Sequence, residues 1–169
     1  MADIIPENLI DPVERVMGRL MFRWGIIDNN ITGAVARLHR NCPEIRENEI
    51  PRAWNRRIAL VKRAAKNVSA LSGLGETVHD LCEACEKVAA VRDYVCHGYI
   101  SGYTDAPEPT ITFTKFDLGK SRRNHQKNQM EITLSAFLSY AEDSIHIASG
   151  TLALNKRLAE IFVGKKAGQ

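Results

Sequence analysis

The chain has 169 residues, the size of one ordinary domain, with 44% hydrophobic and 25% charged residues. That balance excludes a disordered or collagen-like chain, and no apolar run approaches the ~20 residues of a membrane-spanning helix. The net charge is only +3, yet it is unevenly spread.

Residues 51–70 hold six bases (Arg52, Arg56, Arg57, Lys62, Arg63, Lys66) and no acid. Residues 115–127 hold five bases (Lys115, Lys120, Arg122, Arg123, Lys127) against Asp117 alone. The remainder carries 12 bases and 19 acids, a net of −7. Such segregation can attract a polyanion locally, and it equally describes a solvated helix face plus a polar loop. Four cysteines in so long a chain do not form a disulfide scaffold. The opening Met-Ala-Asp-Ile-Ile-Pro-Glu lacks the basic-then-apolar order of a signal peptide. The expectation is a cytoplasmic protein with reduced thiols and no membrane association.

Asp11-Pro12-Val13-Glu14 has the pattern of a helix start: a capping Asp, proline at the first helical position and an acid behind it. Val13, Val16, Leu20, Trp24, Ile27, Ile31, Val35 and Leu38 then recur every three or four residues, until Asn41 and Pro43 stop the helix. A second helix is predicted over residues 51–72, on a stripe of Trp54, Ile58, Val61, Ala65, Val68 and Leu71. Gly73-Leu74-Gly75 reads as a tight turn into a third helix over residues 75–97, striped by Val78, Leu81, Cys85, Val88 and Val95. Gly98 follows, where a left-handed cap is expected.

Residues 99–129 contain Gly102, Pro107, Pro109 and Gly119 and are not helical by pattern. Ile111 to Phe116 alternates like a strand, with Met130-Glu131-Ile132 as its partner and the basic stretch from Lys120 to Lys127 as the tip. Thr133 can cap a fourth helix with an apolar face of Leu134, Phe137, Ala141, Ile145, Ala148, Leu152, Ala159 and Phe162. The economical fold is all-α: one domain spanning residues 1–169, an antiparallel four-helix bundle with a β-hairpin or long loop inserted at about 99–132.

Arg92 falls on the third helix's apolar stripe, where a charge is costly unless it meets a partner, a ligand or a subunit interface. His97 stands five residues on, at the helix end, and Asp93 precedes it by four, on the same face. This run, Arg92-Asp93-Tyr94-Val95-Cys96-His97-Gly98, resembles the hallmark of the HEPN superfamily: Arg, a polar residue, three more residues, then His, near the end of the third helix. The resemblance covers the motif, the order of four helices and the glycine after the His. It implies a homodimer in which both motifs face one cleft, and metal-independent cleavage of RNA with no cofactor. It assigns proton transfer to His97 and phosphate contact to Arg92, with Asp93 supporting the imidazole.

One form of that reading is a toxin held by a partner antitoxin protein. The alternatives are a non-catalytic binding or regulatory module of the same type, and an unrelated four-helix nucleic-acid-binding protein. The chemistry is sound in itself, since cleavage through the 2′-hydroxyl needs a proton acceptor, a proton donor and a cation at the phosphate. Arg92 and His97 lie about 140° apart on an ideal helix, so they converge only if the helix ends at the His or across a two-fold axis. Arg56, Arg63, Lys66, Lys120, Arg122 and Arg123 are the candidate RNA-binding residues.

No metal site is expected. Cys85 and Cys96 would lie about 16 Å apart on one helix, and Cys82 and Cys85 read as core thiols. Trp24 and Trp54 read as core residues rather than base-stacking platforms. His39, His79, His125 and His146 show no partner pattern.

Overall fold

The computed structural model describes residues 5–105, 107–118 and 125–164. Its main elements are α1 (Glu7–Asn41), α2 (Trp54–Asn67), α3 (Gly75–His97), β1 (Tyr99–Thr104), β2 (Thr110–Leu118), β3 (His125–Thr133) and α4 (Leu134–Gly164). Two compact units are present, one built from Met1–Trp24 and Val88–Ile145, the other from Gly25–Lys87 and His146–Gln169. The helices α1, α3 and α4 each contribute residues to both. No helix among the described residues is long and apolar enough to cross a membrane.

The eight predicted stripe residues of α1 are all buried. The helix starts a turn earlier than Asp11, at Glu7, with Pro12 inside it. Pro12 is the sixth residue of the helix, and because it lacks an N–H the helix forgoes the hydrogen bond to the Asn8 carbonyl.

In the second unit, α2 is shorter than predicted. Ala53 and Val68 both take extended backbone and bound it at Trp54 and Asn67. The chain continues as a 3-10 turn, Ser69–Leu74, which keeps Leu71 buried. Leu60 and Ala64 join Ile58, Val61 and Ala65 inside, so the buried stripe is wider than the one read from period alone. On α4 the buried positions here are Ile147, Ala148, Thr151, Leu154, Leu158 and Phe162. The Thr151 hydroxyl donates to the Ala148 carbonyl at 2.9 Å and accepts from Asn30 Nδ2 at 3.3 Å, which satisfies it in the core. Leu152, predicted on the apolar face, is exposed.

The first unit corrects the all-α four-helix bundle expected above. It holds a three-stranded antiparallel sheet in the order β1-β2-β3. The hairpin of β2 and β3 has the expected partners, with Phe113 opposite Met130 and Ile111 opposite Ile132. The additional strand is β1, paired from Tyr99 opposite Thr114 to Thr104 opposite Thr110, with an irregularity between Ile100 and Gly102. That irregularity and Gly102 break the alternation by which a strand is recognised. Of the expected tip, Lys120 to Lys127, His125 to Lys127 belong to β3 instead, while residues 119–124, with Lys120, Arg122 and Arg123, lie outside the described residues.

Ile111, Phe113 and Ile132 are buried, and Phe113 meets Phe137 of α4 edge-on, with centroids 5.7 Å apart. Thr133 caps α4, accepting a hydrogen bond from the Ala136 N–H at 3.1 Å. Ser144 is buried with its hydroxyl donating to the Ala141 carbonyl at 2.6 Å, whereas Ile145 is exposed.

Candidate active site

The site lies in the first unit, where α3 ends against the sheet. The Gly98 N–H donates to the Tyr94 carbonyl at 2.8 Å, closing the last turn of α3, and β1 starts at the next residue. Gly98 does not take the left-handed cap conformation. A Cβ there would stand 2.5 Å from the Tyr94 oxygen and 2.8 Å from the Thr114 oxygen, both backbone atoms. Glycine is needed for this close crossing of strand over helix end. His97 is therefore the last helical residue, and 61% of its side chain is exposed.

Asp93, one turn back, places Oδ1 3.9 Å from His97 Nε2. That separation is an ion-pair distance, too long for a hydrogen bond. Its other oxygen, Oδ2, accepts from Lys115 Nζ, which comes from β2. Lys115 is 84% buried by neighbouring groups, its exposed fraction being 16%, and its ammonium lies 4.9 Å from the Tyr94 ring centroid. The Tyr94 hydroxyl donates to the Gln129 carbonyl at 3.4 Å, tying α3 to β3.

In the sequence Lys115 reads only as one charge of the basic stretch. The signal that could have singled it out is alternation. Residue 115 shares the inward face of β2 with Ile111 and Phe113, and a lysine on a core face requires a partner.

Arg92 sits beside the buried stripe rather than on it, since Val88, Val91 and Val95 are the buried positions here. Its guanidinium covers the Trp24 ring at 4.4 Å from the centroid, and its Nε is buried without a hydrogen-bond partner. Among the described residues no carboxylate pairs with it. The ring's negative face supplies the compensation.

Arg56, Arg63 and Lys66 lie in the second unit. Glu47 binds Arg56 at 2.7 Å and Arg63 at 2.9 Å. The bond from Arg63, joined by that from Arg56, holds the Glu47 carboxyl below its usual range. Arg57 pairs with Asp28 at 2.8 Å and Lys62 with Glu86 at 2.9 Å. The six-base run is thus largely ion-paired, and Lys66 is one of its exposed members.

Cys82 and Cys85 are buried, and burial pushes their thiols up to about 11 and about 12. Cys96 is exposed. Among the described residues no group of three or more His, Cys, Asp or Glu is placed to hold a metal ion.

No protein-family model, curated protein or solved structure matches the chain.

Proposed function

We propose that the protein is a metal-independent endoribonuclease of HEPN type, acting in the cytoplasm as a homodimer whose two motifs share one cleft, with an antitoxin protein as its keeper. The observation that carries this reading is the junction of α3 and β2. An exposed imidazole at a helix end has the Asp93–Lys115 pair one turn below it, and a guanidinium that has no carboxylate partner among the described residues stands on the same helix. His97 takes the 2′-hydroxyl proton, and its two-fold mate returns one to the leaving 5′-oxygen. The products are a 2′,3′-cyclic phosphate and a 5′-hydroxyl. Arg92 meets phosphate oxygens with its planar fork. The bases Arg56, Arg63, Lys66, Lys120, Arg122 and Arg123 are read as the further contacts to the polyanion.

A second reading is a binding module without cleavage. It is favoured by one distance: Asp93 is bonded to Lys115, not to His97, so the imidazole lacks a fixed tautomer. The test is incubation of the purified protein with single-stranded RNA in EDTA. Cleavage to cyclic phosphate ends, abolished in His97→Ala and reduced at least about a hundredfold in Arg92→Ala, supports the nuclease. Binding without cleavage selects the module. Neither binding nor cleavage rejects both.

A further inference from the structure

The sheet of the first unit has an outer face that the assigned chemistry does not use. Tyr99 of β1 is opposite Thr114, and residues directly opposite share a face. Phe116 lies two residues further along β2, on that same face. The two rings are near-parallel, 22° between planes, with centroids 6.3 Å apart. Tyr99 is 50% exposed and Phe116 is 53% exposed. Two large rings stacked in solvent on a strand pair are unusual, because the cheaper arrangement buries them.

The surroundings are polar and chemically specific. Lys127, exposed on β3, is directly opposite Phe116. Gln129, opposite Thr114, donates to the Thr114 hydroxyl at 3.2 Å, and Ser101 shares a 2.6 Å bond with that hydroxyl. These bonds tie the three strands together through Thr114, opposite Tyr99 and two residues from Phe116. The one acid of β3, Glu131, lies opposite Thr112, at the far end from Lys127. A polyanion is therefore drawn to the Phe116–Lys127 end. Tyr99 follows His97 by two residues, at most about 7 Å of chain.

We infer that Tyr99 and Phe116 form a stacking platform for an unpaired nucleobase, with Lys127 taking the adjoining phosphate. This rests on the ribonuclease reading and deepens it: the substrate is single-stranded RNA, delivered to His97 by a base seated on the sheet. Every base presents a π-face, so the platform selects strandedness rather than sequence, and duplex RNA cannot use it.

The probe is a short single-stranded 2′-O-methyl oligoribonucleotide carrying 2-aminopurine, which binds without being cut. The full chain should bind it more tightly than the duplex of the same sequence and quench its fluorescence. Phe116→Ala and Tyr99→Ala should each weaken binding by roughly ten- to hundredfold, with the dependence on salt unchanged, because phosphate contacts remain. Phe116→Trp should restore affinity, which a purely structural role would not explain.

If the wild type binds RNA but both alanine variants bind equally well, the platform is wrong and the ribonuclease reading survives. If the wild type binds neither form of RNA, both fall. If the variants change the sedimentation weight and leave affinity intact, the rings are a face between copies of the chain and the inference is overturned.

Discussion

Lys115 of β2 is bonded through its ammonium to the carboxylate of Asp93 on α3, so the sheet delivers a cation one helical turn below His97. The lysine is mostly buried and the aspartate partly exposed, which places the pair between the surface and core regimes. A double-mutant cycle of Lys115→Met and Asp93→Asn, read by urea unfolding, should return a coupling of about 1 kcal/mol. Additive single effects would mean that the pair contributes nothing. In the cleavage assay Lys115→Met should lower kcat/KM by roughly tenfold, through loss of positive charge near the phosphate.

Arg92 separates stability from function. Its Nε is buried and unbonded, and its chief contact is the Trp24 ring. An apolar chain of similar volume fills that place without a desolvated donor. Arg92→Met should therefore hold stability within about 1 kcal/mol of wild type, or raise it, while RNA cleavage is lost. A large drop in thermal midpoint would make Arg92 a structural residue.

Gly98 tolerates no side chain. An alanine Cβ would strike two backbone oxygens, those of Tyr94 and Thr114, and neither can swing aside as a side chain could. Gly98→Ala should cost about 2 kcal/mol or more by forcing β1 off the end of α3. Gly25→Ala, at a position with nothing within 4 Å, is the control and should be neutral or stabilising.

The thiols divide by burial. Cys96 is exposed, and Cys42, Cys82 and Cys85 are buried. A thiol reagent at neutral pH should modify Cys96 quickly and the other three only after unfolding. Because the folded-state values of Cys82 and Cys85 are raised from 9.0 to about 11 and about 12, the neutral forms favour the fold. Their contribution is complete below pH 9 and is lost as pH climbs from there toward 12. Stability should fall over that alkaline window, and Cys82→Ala with Cys85→Ala should flatten the decline.

Much of the architecture is legible in the amino-acid sequence. The α1 stripe, the end of α3 at His97, the pairing of β2 with β3 and the Thr133 cap all depend on residues near one another in sequence. Period, capping and alternation are local rules, and they speak through local residues. Of the candidate site, the order of Arg92, Asp93 and His97 on one helix was equally visible, because helical spacing alone sets it.

What local pattern could not reach depends on partners distant in the chain. Ser144 and Thr151 are buried while Ile145 and Leu152 are exposed, because packing set the inward face of α4 and hydroxyls can bond back to the preceding turn. The run of bases on α2 became a set of ion pairs only through Asp28, Glu47 and Glu86, supplied by other segments. The irregular strand β1 is defined by its pairing with β2, not by its own alternation. Asp93 meets Lys115 across 22 residues for the same reason. By itself the sequence determined the four helices, the pairing of β2 with β3, and the order of Arg92, Asp93 and His97 on one helix. Tertiary structure alone decided which charges are neutralised, which rings face solvent and which cation sits beside His97, because those are settled by long-range contact and burial.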